Sequence, residues 1–99
     1  MRQYRQVHIN GHSMAPTLND GDLVLARLGA SASPDAVVLV RWVDRPDQLS
    51  VKRAQWAERD GWFVVGDNPM ASTDSNQLGP ATVLGVIRWR LWPRPGRVR

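Results

Sequence analysis

The sequence predicts a mostly β domain, built as small coiled antiparallel sheets or a partly open barrel. Three observations carry this reading. Short apolar and β-branched runs recur along the chain, and strong turn signals separate them at Asn19-Asp20-Gly21-Asp22, Asp44-Arg45-Pro46-Asp47 and Arg59-Asp60-Gly61. No segment combines helical caps with a 3.6-residue apolar period. Strands punctuated by tight turns close into hairpins, and hairpins into barrels or packed sheets.

Taken in order, Gln3 to Asn10 alternates loosely, with Val7 and Ile9 on one side, and suits a first strand entering a turn at Gly11. After the Asn19–Asp22 turn, Leu23-Val24-Leu25-Ala26 is a short buried strand that ends before Gly29. A loop of small residues, Gly29 to Asp35, leads to Ala36–Val43. That run is apolar and β-branched, with Arg41 its only charge, and so predicts a central strand. Leu49–Trp56 carries Lys52 and pairs through the Arg59-Asp60-Gly61 turn with Trp62-Phe63-Val64-Val65. Gly66–Pro80 is rich in Asn, Asp, Ser, Gly and Pro and lacks an apolar period, so it is expected as a long ordered loop with a function. Val83–Trp92 then closes the sheet. All five tryptophans, Trp42, Trp56, Trp62, Trp89 and Trp92, fall where packing of strands against a core accounts for them.

A chain of 99 residues supports one modest core, so residues 1–93 are expected as a single domain, with a basic, disordered tail over 94–99. Hydrophobic content of 42% and charged content of 22% are globular values. The absence of cysteine excludes disulfide staples, thiolate metal sites and a Cys nucleophile, and with two histidines no metal site or cofactor is expected. No apolar run is long enough to span a bilayer, no secretory core precedes the domain, and the expected location is cytoplasmic.

The net charge of +4 raises a second reading, a non-catalytic basic β-barrel that binds nucleic acid through arginines and tryptophans. The arginines, however, concentrate near the chain ends, at Arg2, Arg5, Arg88, Arg90, Arg94, Arg97 and Arg99. Against 12 arginines there is one lysine, Lys52. Lysine differs from arginine in being able to lose its proton in a desolvated site.

Chemistry is expected at Asn10-Gly11-His12-Ser13-Met14-Ala15-Pro16-Thr17-Leu18. Gly11 opens backbone conformations closed to other residues and Pro16 restrains the chain beyond Ser13, so Ser13 sits in a rigid corner suited to a nucleophile. A serine hydroxyl needs a base. His8 and His12 are candidates, although His12 adjoins Ser13 and neighbours on an extended segment point apart. Lys52 serves if it is buried: on a strand it shares a face with Ser50, Ala54 and Trp56, while Val51 and Arg53 point away. In isolation each residue also has a plainer reading, Ser13 as a turn residue and Lys52 as a surface lysine with its stem laid along apolar neighbours.

Four boxes in fixed order decide between these readings. Gly11-His12-Ser13-Met14-Ala15-Pro16-Thr17-Leu18 with Gly21-Asp22-Leu23-Val24, then Val51-Lys52-Arg53, then Gly66-Asp67-Asn68, then Ser72-Thr73-Asp74-Ser75 with Gly79-Pro80, closely resemble those of the signal peptidase I family. The resemblance implies a Ser/Lys-dyad serine endopeptidase on a coiled β fold, related to the self-cleaving domains of SOS repressors. It implies Ser13 as nucleophile, Lys52 as general base and Ser72 as the hydroxyl that orients the amine. Asp67, Asp74 and Arg53 become the charged scaffold, and Met14 an apolar filler beside the dyad. The Ser13 amide is expected to donate to the oxyanion. Gly11 occupies the position where some members carry a second donor hydroxyl, and Asn76 replaces the arginine usual in the last box. With twelve residues before Ser13, the chain is most similar to untethered versions, the nickel-type superoxide dismutase maturation proteases. The partner then implied is the dismutase precursor, whose leader is removed, with nickel belonging to that substrate; a membrane peptidase core or a self-cleaving domain is the alternative. Substrate is expected to add to a strand edge before Ser13 or before Gly66.

Overall fold

The computed structural model describes residues 3–99. Seven strands, β1 (Gln3–His8), β2 (Leu23–Leu28), β3 (Val37–Trp42), β4 (Arg45–Glu58), β5 (Gly61–Val65), β6 (Ala81–Trp92) and β7 (Gly96–Arg97), share one antiparallel sheet with a single helical turn, α1 (Ser75–Leu78). The strand order is β1-β2-β6-β3-β4-β5, and β5 returns to β6 at Trp62 and Ala81. The sheet is therefore a partial ring with β1 left at an open edge, as the turn pattern predicts. No helix among the described residues is long and apolar enough to cross a membrane.

The apolar run of β3 has a direct cause. Val37 and Leu39 enter one core with Ile9, Met14, Leu18, Val24, Ala26 and Ile87. Val38, Val40 and Trp42 enter a second with Ala54, Val64, Ala81 and Val86. A strand buried on both faces cannot alternate with polar residues, and β3 separates the two cores.

The structure corrects four expectations. β4 begins at Arg45, so the turn is shorter than Asp44–Asp47. Arg41 pairs with Leu49 but Trp42 pairs with Arg45, a register shift that leaves residues 46–48 of β4 as a bulge unpaired with β3 and accommodates Pro46 without a ladder bond. The Gly66–Pro80 segment contains α1, capped by Asp74, whose carboxylate accepts from Asn76 N while Gln77 Oε1 accepts from Asp74 N. The tail over 94–99 is ordered: β7 pairs with β6 at Trp89 and Arg90, Val98 N donates to Arg88 O at 2.8 Å, and Val98 packs on the first core. Finally, only Trp42 is buried in a core and Trp62 packs at its margin, whereas Trp56, Trp89 and Trp92 are 49%, 54% and 61% exposed. Trp56 stacks on Phe63 at 4.4 Å instead, and Trp89 and Trp92 lie on the outer sheet face opposite Leu25 and Leu23.

Candidate active site

The loop between β1 and β2 is pinned at its base by Ile9, which donates to Asp22 O and accepts from Gly21 N, both at 2.8 Å. Met14 and Leu18 bury their side chains in the first core, and Leu18 N donates to Met14 O. These anchors hold Ser13, half-buried, at the wall of a cleft of about 420 Å³. The Ser13 N–H donates to no protein group among the described residues. Gly11 has φ of 88° and gives its own N–H to Asp20 Oδ1 at 2.7 Å, so that amide is already engaged.

Lys52 comes to the same cleft from β4. It is 5% exposed, with buried Ala54 two residues on and Arg53 directed to the opposite side, as strand alternation requires. Burial pushes its pKa below the ordinary lysine value, and the negative charge of Asp74 pulls the other way without prevailing. Lys52 Nζ donates to Ser72 Oγ at 3.2 Å. No hydrogen bond joins Lys52 to Ser13; the two groups share the cleft wall. Ser72 Oγ also accepts from Gly66 N and donates to Asp74 Oδ2.

Two polar clamps fix this arrangement. Asp67 accepts both Nε and Nη2 of Arg53, at 3.1 and 2.6 Å, and the Thr17 hydroxyl at 2.5 Å. Burial opposes the charge on Asp67, but the hydrogen bonds from Arg53 and Thr17 and the guanidinium charge outweigh it and hold the carboxyl below its usual value. The bond to Asp67 raises the Arg53 pKa in turn, and Arg53 also reaches the carbonyls of Asp35 and Arg99. The second clamp is Asn68, whose N–H donates to Ser13 O at 2.8 Å and whose amide nitrogen donates to His12 O at 3.1 Å.

Asp74 works without the arginine usual in its box. Its Oδ1 accepts from both Asn76 N and Asn76 Nδ2, at 3.1 and 3.0 Å. With the bonds from Ser72 and Gly66, these overcome the effect of burial and lower its pKa. An amide here replaces a salt bridge.

The structure thus brings Ser13, Met14, Lys52, Ser72 and Asp74 to one place and sets Asp67 and Arg53 behind them as a brace; Gly11 stands at the exposed loop shoulder. His12 and His8 make no bond to Ser13 among the described residues. Gly66, Asn68 and Thr17 lie inside the recognised boxes, yet no role followed for them from spacing. A Cβ on Gly66 would collide with Ser72 Oγ and come within 2.6 Å of Ser13 O, so only glycine lets the two loops meet. The signal at Gly66 and Asn68 was a glycine followed by a turn-forming acid and amide, which does not reveal the partner. Among the described residues no three His, Asp or Glu side chains cluster as metal ligands.

A mostly β domain that sets a serine and a desolvated lysine on one cleft defines a class of serine proteases. The chain belongs to that class as a member of the Peptidase S24-like family, which it matches over residues 2–88. It is also 33% identical, over an alignment of 117 residues, to the mitochondrial ATP-independent inner membrane protease subunit 1a of Arabidopsis thaliana, with 87% of this chain and 69% of that protein covered. No solved structure matches it significantly.

Proposed function

We propose that this serine protease removes an amino-terminal leader from a precursor protein through a Ser13/Lys52 dyad, and that the precursor is that of a nickel-type superoxide dismutase. The observation that carries the dyad is the burial of Lys52 at the wall of the Ser13 cleft, with its amine held by Ser72. The spelling of the four boxes supports the choice of precursor.

Neutral Lys52 accepts the Ser13 proton as Ser13 Oγ bonds to the scissile carbonyl carbon. Ser72 accepts a hydrogen from the amine and so turns its lone pair towards Ser13. Catalytic hydrogen bonds are often long before substrate arrives, and closure of Ser13 on Lys52 belongs to the loaded complex. The free Ser13 N–H donates to the oxyanion, a contribution of roughly 3 kcal/mol at such sites. Collapse breaks the C–N bond, and the leaving amine takes the proton from Lys52. Water then gives a proton to neutral Lys52 as its oxygen bonds to the acyl carbon; the bond from that carbon to Ser13 Oγ breaks, Lys52 returns the proton to Ser13 Oγ, and the acid is released.

Substrate enters along two strand edges. The open edge at the end of β1, continued by Ile9 and Asn10, and the part of β4 before Arg53 that has no second strand neighbour both line the cleft. An extended peptide between them gains main-chain bonds. β5, the strand before Gly66, does not serve: Val64 N is taken by Ser75 Oγ and Gly66 N by Ser72 Oγ.

The test is incubation of the purified chain with the dismutase precursor and mapping of the new terminus by mass spectrometry. Cutting at one site, lost in both Ser13→Ala and Lys52→Ala, is the expected result. Cutting that persists in either variant sinks the dyad, and turnover of secretory leaders alone reassigns the substrate.

A further inference from the structure

The lining of the cleft carries basic side chains and no carboxylate; Asp74 acts on Lys52 from behind Ser72. Its walls take in Arg45 and Lys52 together with the imidazole of His8 and the amides of Asn10 and Gln48, but not a single Asp or Glu. Asp44 and Asp47 flank Arg45 in sequence and do not line the cleft. Arg45 forms no ion pair among the described residues.

The β4 register places Arg45 relative to the dyad. Lys52 pairs with Val38, Val51 with Leu39, Ser50 with Val40, Leu49 with Arg41, and Arg45 with Trp42. Because the register shifts by three residues at the 46–48 bulge, Arg45 stands only four ladder steps from Lys52, counted along β3 from Val38 to Trp42. An even number of steps puts it on the same sheet face, and the Trp42 Nε1 bond to Ser50 Oγ marks that face. Four steps at ~3.3 Å come to about 13 Å, which is also four residues of an extended peptide lying alongside.

We infer that Arg45 makes this cleft select a substrate with an acidic side chain about four residues from the bond that is cut, on the side lying along Val7–Asn10 and Leu49–Lys52. The inference rests on Ser13 and Lys52 as the cutting pair. Since Arg45 sits at an exposed rim, its carboxylate preference is modest and sensitive to salt. It decides between otherwise similar leaders.

The test uses the Ser13→Ala chain and an alanine-rich peptide in which a single Glu, or Gln as its control, is moved position by position. Binding is followed by fluorescence anisotropy at low salt. At one position Glu should bind about two- to fivefold tighter than Gln. That preference should vanish in Arg45→Gln, persist in Arg59→Gln on the far hairpin, and shrink as salt rises. Equal binding of Glu and Gln peptides, no binding of either, or a preference that survives Arg45→Gln overturns the assignment. Cleavage of the same peptides by the chain with Ser13 intact is scored separately. Peptides bound with the Arg45-dependent preference yet never cut would sink the Ser13 chemistry and leave the acidic subsite standing.

Discussion

Lys52 Nζ and Asp74 are linked through one hydroxyl: Ser72 Oγ accepts the amine at 3.2 Å and donates to Asp74 Oδ2 at 3.1 Å. A direct amine–carboxylate pair would favour the charged lysine. With a neutral hydroxyl interposed, burial prevails over the attraction of Asp74 and the proton is lost more readily.

The pH profile should show this. In the proposed dyad Lys52 must be neutral to accept the Ser13 proton, so kcat/KM should rise with pH through a limb centred below the ordinary lysine value of 10.5. Ser72→Ala should lower kcat about ten- to hundredfold with little change in KM, the loss expected on removing a hydrogen bond to a charged or developing charge. Lys52→Arg, which keeps charge but cannot give up a proton, should lose at least ~10²-fold. A profile unchanged by Ser72→Ala would deny it the positioning role.

Activity and stability should oppose each other at position 52. The unfolded chain binds the lysine proton more tightly than the folded one, so the charge lowers stability at every pH below the folded pKa. That penalty is relieved as pH rises towards 10.5. Lys52→Met should therefore be inactive yet melt higher at neutral pH, by roughly 4–8 °C if the relief is ~1 kcal/mol in a domain of this size. The gap should narrow in alkaline buffer, measured by calorimetry.

For Asp67 the sign reverses. Its carboxyl is held below 3.8 by Arg53 and Thr17, so its stabilisation is full above the ordinary carboxylate range and is lost as pH falls through the depressed folded value. Asp67→Asn should cost about 1–3 kcal/mol in urea melts at neutral pH and nothing once both proteins are below that value. A constant difference across the acid range would show that the charge on Asp67 is not what holds the loops.

Gly66→Ala should cost roughly 1–3 kcal/mol and at least about tenfold in kcat, because the added methyl group meets Ser72 Oγ and Ser13 O at 2.6 Å. Gly96→Ala, with nothing within 4 Å of the new atom, is the matched control and should leave both unchanged.

Much of this was legible in the chain itself, and the exceptions share a cause. The unbroken apolar stretch of β3 announces burial on both faces, and the spacing of Lys52, Arg53 and Ala54 places the amine inside and the guanidinium outside. What stayed hidden depends on partners far away in sequence. β7 exists because Arg97 meets Trp89 and Gly96 meets Arg90, and no local pattern announces that pairing. α1 is four residues long, too short for a period, and its capping pair, Asp74 and Gln77, comes to light only in the structure. The outward tryptophans follow from register: Trp89 and Trp92 pair with Leu25 and Leu23, outside the row of Val24 and Ala26 that fills the core.

Asn68 reaches back across 56 residues to His12, and Asp67 across 50 to Thr17. Contacts so distant along the chain are slow to form, because the loop between them must close before any is gained. The loop that carries Ser13 is held by residues that lie more than half the chain away. The cleft is whole only when the first and last thirds of the domain have met.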